Sequence, residues 1–143
     1  MTARRELIIQ GVLAALAAVP GLALPPLRQP NADPTSYPAL KIDDLGHTKL
    51  ESDATHSLYR LRLMVSGYVQ GGTEAATDAA LNELYGDVVR AVMVDPQLGG
   101  LCDLIDEGDL EREVSALSSR STGAMDLMLF IEFRTRTHNP DLI

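Results

Sequence analysis

Two segments of this chain alternate between apolar and polar residues. Residues 57–69 place apolar side chains at most odd positions from Tyr59 onward, and arginine or serine at several even ones. Residues 125–136 do the same, with large apolar side chains at odd positions as far as Phe133. Successive side chains of a strand point to opposite faces, so a period of two indicates one face in the core and one in solvent or at an interface. Both segments are predicted to be strands.

Two other segments show helical spacing. In residues 3–19, apolar side chains recur every three or four positions. Thr2 is a candidate N-cap for this helix. Pro20 ends it, because proline has no backbone amide to donate to a further turn. A second helix is predicted to follow Thr73, another candidate N-cap, and to stop at Asp95-Pro96. Its buried stripe is predicted to contain Leu81, Leu84, Tyr85, Val88 and Val92.

The connecting segments have weaker patterns. Residues 25–38 hold five of the eight prolines and are predicted to form an extended loop or arm. A short strand follows at Leu40 to Ile42, and residues 43–56 are predicted to be a hairpin loop because they are mostly polar and begin with a turn signal. Near the C-terminus, weak strands are predicted around residues 101–105 and 110–116, with a turn at Glu107-Gly108-Asp109 between them and a short serine-rich connection before the final strand.

The order of these elements predicts the fold class. Helices alternate with strands that are joined by turns, which favours antiparallel neighbours. The fold class is therefore α+β: a mostly antiparallel sheet with two main helices packed on one face, plus extended loops or arms. At 143 residues, the chain is predicted to form a single domain, 1–143.

Composition narrows the classes of function. The net charge is −8, and an acidic chain repels phosphate, which argues against specific DNA binding and against attachment to anionic membranes. Four tyrosines, two phenylalanines and no tryptophan provide few platforms on which single-stranded nucleic acid could stack. The chain has only one cysteine, Cys102, which excludes an intramolecular disulfide and a thiolate metal cage; Cys102 is interpreted as a small residue in a half-buried strand.

The first 24 residues allow two interpretations. Two arginines precede an apolar run that small residues follow, as in a secretory signal peptide. However, Glu6 lies among the basic residues and Gln10-Gly11 interrupts the apolar run, which favours an ordinary first helix. The run is also too short to span a bilayer.

No group of residues has the spacing of a catalytic, cofactor-binding or metal-binding site. His47, His56 and His138 share no motif and are interpreted as surface residues. The acidic groups Asp43-Asp44 and Asp106-Glu107-Asp109 could serve acid–base chemistry or hold a divalent cation, but solvated turn charges explain them more simply. The chain is therefore predicted not to be an enzyme, and to use no cofactor and no metal.

The chain resembles the tail terminator proteins of long-tailed phages. The resemblance rests on RELIIQGVLAALAAVPGL near the N-terminus, then YPALKIDD, the strand LRLMVSGYV, the second helix and the final FIEFRTR, in that order. Members of this family are structural virion proteins that form rings. The resemblance implies a ring, hexameric as in the family, at the head-proximal end of the tail tube. Such a ring ends tube polymerisation and joins the tail to the head–tail connector.

The resemblance also implies partners and a location. The partners are further copies of the chain, the tail tube protein and the connector or stopper protein, in the tail or neck of a virion or of a phage-like particle such as a gene transfer agent, assembled in the host cytoplasm. DNA would pass through the ring without sequence-specific binding, which an acidic lumen favours, and no membrane takes part. The alternatives are a neck or tail-completion protein of the same particle, a small enzyme using the acidic groups, and a secreted ligand-binding domain.

The final strand predicts where subunits would meet. Met128 and Phe130 lie two residues apart, so both leave the sheet on the side opposite Leu127 and its odd-numbered neighbours. An exposed pair of this size is an aggregation risk in a free monomer. The pair is predicted to contact a neighbouring subunit; the alternative is that an arm or helix of the same chain covers it. The polar residues of the predicted interface are Arg60, Arg62, Glu132, Arg134 and Arg136.

Overall fold

The computed structural model describes residues 2–28, 36–117 and 120–141. Within these ranges the chain forms, in order, helix α1 (Arg4–Leu16), strands β1 (Ala39–Ser52) and β2 (His56–Gly71), helix α2 (Glu74–Val92), a short 3-10 helix (Leu98–Gly100), and strands β3 (Leu104–Leu117) and β4 (Arg120–Arg136). The strands form one antiparallel sheet in the order β1-β2-β4-β3. This confirms the predicted α+β class. No helix of the described residues is long and apolar enough to cross a membrane.

The central strands β2 and β4 divide the sheet into two faces. They pair along their whole length, from His56 opposite Arg136 to Gly71 opposite Ser121. Their odd-numbered residues form what we call the inner face, whose side chains are buried as the alternation predicts. These are Leu61, Leu63, Val65, Val69, Met125, Leu127, Leu129, Ile131 and Phe133. Their even-numbered residues form the opposite, outer face.

Helix α2 packs against the inner face. A Cβ added to Gly67 would lie 2.9 Å from Cδ2 of Leu84, so the lack of a side chain lets the helix approach the sheet. The Tyr85 hydroxyl donates to the Glu107 carboxylate at 2.7 Å. Helix α1 contacts α2, and its apolar residues Ile8, Ile9, Val12 and Leu16 belong to the same buried cluster. Burial of this one cluster is what joins the helices to the sheet.

The two predicted N-caps have different outcomes. The Thr73 hydroxyl accepts from the Ala76 amide at 3.1 Å, which confirms it as the cap of α2. Thr2 does not cap α1: the helix begins after Ala3, which has no capping side chain. Both helices are shorter than predicted, since α1 ends at Leu16 and α2 at Val92.

The predicted hairpin loop at residues 43–56 is wrong. Strand β1 continues to Ser52, β2 begins at His56, and only the three residues between them form the turn. Register shifts between Asp44 and His47 and between Lys49 and Glu51 let β1 follow β2 over this distance. Much of this region is exposed on both sides, so its side chains need not alternate in polarity. Backbone pairing with β2 holds it in the sheet.

The predicted turn at Glu107-Gly108-Asp109 is also wrong, since these residues lie inside the single strand β3. Glu107 pairs with Leu129 and Leu110 with Leu127, so Gly108 and Asp109 together oppose Met128. This is a β-bulge, which uses the same polar and glycine residues as a turn but does not reverse the chain. The serine-rich connection that follows includes residues 118 and 119, which lie outside the described residues.

Two further predictions are revised. Cys102 is buried, as expected, but it lies before β3 rather than in a strand; its thiol donates to the Pro96 carbonyl oxygen at 3.4 Å, and burial raises its pKa to about 11. The central part of the proline-rich segment, residues 29–35, lies outside the described residues. Before it, Leu27 exchanges backbone hydrogen bonds with Leu40 and Ile42, which covers part of the β1 edge.

Candidate interaction surface

The seven predicted interface residues lie together on the outer face. Register places Arg62 opposite Phe130, Arg60 opposite Glu132, and Met64 opposite Met128. Arg134 and Arg136 continue the same side of β4 towards its end. Residues directly opposite each other in an antiparallel pair share one face, so these side chains lie on the same side of the sheet, as the alternation in the two strands predicts.

Met128 and Phe130 form the floor of a shallow notch of about 270 Å³. Both are partly exposed, whereas Leu127, Leu129 and Ile131 on the inner face are sealed. The lining comes from strands β2, β3 and β4: Met64, Gly108, Asp109, Glu111, Asp126, Met128 and Phe130. No helix residue is among these lining residues. The described parts of the proline-rich segment, residues 25–28 and 36–38, do not line the notch either, so within the described part of the chain the alternative of a covering arm or helix gains no support there.

Gly108 shapes one side of this notch. A Cβ at this position would lie 2.6 Å from Cε2 of Phe130, and 3.3 Å from Cβ of Met128. Any larger residue would push the aromatic ring away from β3. The guanidinium of Arg60 lies 5.8 Å from the centre of the Phe130 ring on the other side, a cation–π contact. The ring is thus held between a bulge and a cation.

The predicted polar residues already make contacts within the chain. Arg60 approaches Glu132 at 3.4 Å, and Arg134 donates to Asp103 at 3.0 Å. Arg62 donates to the Leu45 carbonyl oxygen at 3.1 Å and to the Thr48 hydroxyl at 3.3 Å. These exposed contacts contribute little to stability, typically about 0–1 kcal/mol each. They nevertheless hold the arginine guanidinium groups at defined positions on the outer face.

Sequence reasoning missed the residues that surround the apolar pair. Met64 could have been found, because it is a large apolar residue at an even position of an alternating strand. Gly108, Asp109 and Glu111 could not, because a bulge rather than a turn brings them beside Met128. Asp126 is oriented by the Ser66 hydroxyl, which donates to it at 2.6 Å.

The acidic groups considered for catalysis are split by the sheet. Asp106 lies opposite Phe130 on the outer face, whereas Glu107 lies opposite Leu129 on the inner side. Asp44 forms a two-pronged ion pair with Arg5, and Arg5 helps to hold the pKa of Asp44 below its usual value. No group of three or more His, Cys, Asp or Glu residues in the described ranges is placed to hold a metal ion.

The structure brings together two of the three histidines. His47 and His138 line a second cavity of about 320 Å³, with Arg5, Tyr59 and Phe133 among its other walls. The His47 ring packs on Tyr59 and near Phe133, with ring centres 4.7 and 5.9 Å apart. Burial and the neighbouring Arg5, whose Nε donates to Nδ1 at 2.8 Å, lower the pKa of His47. His56 lies apart, at the start of β2.

Comparison with known proteins assigns no family. No protein-family model matches the chain, and no curated protein matches it at a significant level. The fold and the outer face are therefore the observations on which a functional argument rests, together with the resemblance noted in the sequence.

Proposed function

We propose that this chain is a structural protein of a phage tail or phage-like particle. In this role it forms a ring, hexameric as the resemblance implies, at the head-proximal end of the tail tube. The ring ends tube polymerisation and joins the tail to the connector. The single observation that carries the proposal is the outer face, where Met64, Met128 and Phe130 stay partly exposed beside charged side chains, while the apolar residues of the inner face from Leu61 to Val65 and from Met125 to Phe133 are buried.

The outer face has the character of a protein contact surface. It combines an apolar centre with a charged rim, the arrangement found in specific interfaces. The centre and the rim both lie on strands of one hydrogen-bonded sheet, so their backbone is ordered before a partner binds and less conformational entropy is lost on association. A closed ring would bury the apolar centre of every copy.

The proposal includes no catalysis. Asp106 and Asp109 are the residues an enzyme hypothesis would use, and they lie on or beside the outer face rather than within an enclosed cavity. The variant carrying both Asp106→Asn and Asp109→Asn should still form particles, with at most modest packing or charge effects. A divalent-cation-dependent turnover that both changes abolish would establish an enzyme instead.

Native mass spectrometry, with and without the tail tube protein, tests the proposed role. We expect a closed oligomer, either of the free protein or once it meets tube ends, with six copies as the expected number. A protein that stays monomeric and also fails to bind tube ends would overturn the proposal. Binding to the connector but not to the tube would favour the alternative, a neck or tail-completion protein.

A further inference from the structure

The outer face carries opposite charges on strands β2 and β3, and residues of both signs, Lys41, Asp43 and Glu51, on the β1 edge. Its β2 half carries Arg60 and Arg62, which point to the same side as Phe130. Its β3 half carries only acidic groups among its charged residues, since pairing with β4 places Asp106, Glu111 and Glu113 on this side. Strand β4 between them carries both signs. Met64 on β2 lies directly opposite Met128 on β4, which is next to the β3 bulge.

The acidic half contains a place for a long basic side chain. The notch has an apolar floor of Met64, Met128 and Phe130, and carboxylates of Asp109, Glu111 and Asp126 at its rim. The aliphatic stem of an arginine or lysine packs on apolar groups while its charged head stays at the polar edge. The notch offers an apolar surface for the stem and carboxylates for the charged head.

The chain itself supplies such a side chain. Arg62 is only partly buried, and its described hydrogen bonds go to neutral oxygen atoms, the Leu45 carbonyl and the Thr48 hydroxyl. It forms no ion pair with a carboxylate among the described residues. Arg60 differs, because it already pairs with Glu132. Arg62 therefore provides a cation at the boundary of the basic half.

We propose that the occupant of the acidic half is a second copy of this chain, with its Arg62 directed at Glu111 in the notch. This deepens the proposed function and rests on it. The basic half of one copy would lie over the acidic half of the next, and the stem of the incoming Arg62 would cover the apolar floor of the notch. Local pairing of opposite charges offsets the repulsion between two chains of net charge −8. Each copy would thus offer Arg62 to one neighbour and its own Glu111 to the other, a head-to-tail contact of the kind that closes into a ring.

A charge-swap experiment tests this pairing. The variants Arg62→Glu and Glu111→Arg are purified separately, and their self-association is measured beside wild type by analytical ultracentrifugation at fixed salt. Each variant alone places like charges in every contact, so we expect association to weaken about tenfold or more. In an equal mixture, contacts between the two different variants again join opposite charges, and so does every contact of the chain that carries both changes. Association should then return to near the wild-type level.

Matched controls separate pairing from net charge and from folding. Arg90→Glu and Glu83→Arg make the same charge changes on exposed positions of α2 and should leave association unchanged. Thermal melting checks that each variant folds. If Arg62→Glu fails to fold, Arg62→Gln keeps a donor for Leu45 and Thr48 and should weaken association in the same direction.

Three results would overturn the inference. The first is that both variants associate like wild type. The second is that each weakens association but the mixture and the double variant do not recover. The third is that only Glu111→Arg has an effect, which would point to a basic partner other than a second copy. If rings form normally with either change alone, the inference fails but the proposed function still stands. If the wild type is monomeric in solution, the same variants are compared at tube ends: wild-type protein that binds tube ends without forming a ring overturns the inference, and failure to bind them overturns the proposed function.

Discussion

The two faces of strand β4 differ in how completely the rest of the chain covers them. On the inner face, Leu127, Leu129 and Ile131 have at most 1% of their surface exposed. On the outer face, Met128 and Phe130 are of similar size but keep part of their surface in solvent. Folding of the monomer explains the apolar residues of the inner face. It does not explain those of the outer face, which is why we propose that another molecule contacts them.

The same substitution on the two faces should give the largest contrast. Phe133→Asp places a carboxylate at an inner position that is 2% exposed and belongs to the apolar core, and should prevent folding or lower the melting temperature drastically. Phe130→Asp should leave the monomer folded and block assembly, because its carboxylate is buried only at the interface. Circular dichroism melting and sedimentation measure the two effects. Equal destabilisation by both changes would mean that the outer face belongs to the monomer core.

Truncation to alanine should give a smaller version of this contrast. Leu129→Ala removes a sealed side chain and should lower the free energy of unfolding by about 2–5 kcal/mol. Met128→Ala, its immediate neighbour, should cost about 1 kcal/mol or less in the monomer because the side chain is already partly exposed. Urea unfolding of both variants under monomeric conditions provides the measurement. A cost for Met128→Ala that equals that of Leu129→Ala would contradict the account.

The bulge at Gly108 allows a finer test of the outer face. Gly108→Ala brings a Cβ against the Phe130 ring, which can turn aside only by leaving its place beside Arg60, so we expect a cost of about 1 kcal/mol. The cost should largely disappear in a Phe130→Ala background, where the ring is absent. Gly72→Ala is the control, since nothing lies within 4 Å of its added Cβ. A cost that persists without the ring would mean that the backbone, rather than Phe130, needs glycine here.

The smallest expected effect concerns pH at the open end of the inner face. The pKa of His47 is lowered from 6.5 in the folded state, so the unfolded chain takes up a proton more readily. The folded state therefore favours neutral His47. The stability that depends on this neutral form should be complete above pH 6.5, and should decline as the pH falls below 6.5 through the lowered pKa. His47→Gln should remove that part of the pH dependence, while His56 and His138 stay the same in both proteins. Identical pH profiles from pH 7 to 5 would contradict it.

Alternation along a strand proved the most informative signal in the sequence. It identified the two central strands, the buried side chains from Leu61 to Phe133 on the inner face, and the position of Met128 and Phe130 opposite them. Because one face of each strand is buried, the residues on that face must be apolar, and the sequence therefore shows the alternation. The Thr73 cap was predictable for a similar reason, because a local hydrogen bond requires a side chain of that type.

Other features could not be predicted, because the sequence does not distinguish their alternatives. The exposed part of β1 has no buried face, so its residues look like those of a loop. Glu107-Gly108-Asp109 suits a turn as well as a bulge, and only pairing with β4 decides between them. The acidic side of the notch depends on that bulge. It was therefore hidden until the strand register was known.

Negative-stain electron microscopy of the wild-type protein beside Phe130→Asp, with and without tube protein, tests the central claim most directly. We expect rings of wild-type protein, free or at tube ends, and only single folded particles of the variant under the same conditions. Rings formed equally by both proteins would show that subunits meet elsewhere and would contradict the assignment of the outer face. The absence of wild-type rings both in solution and at tube ends would contradict the proposed role itself.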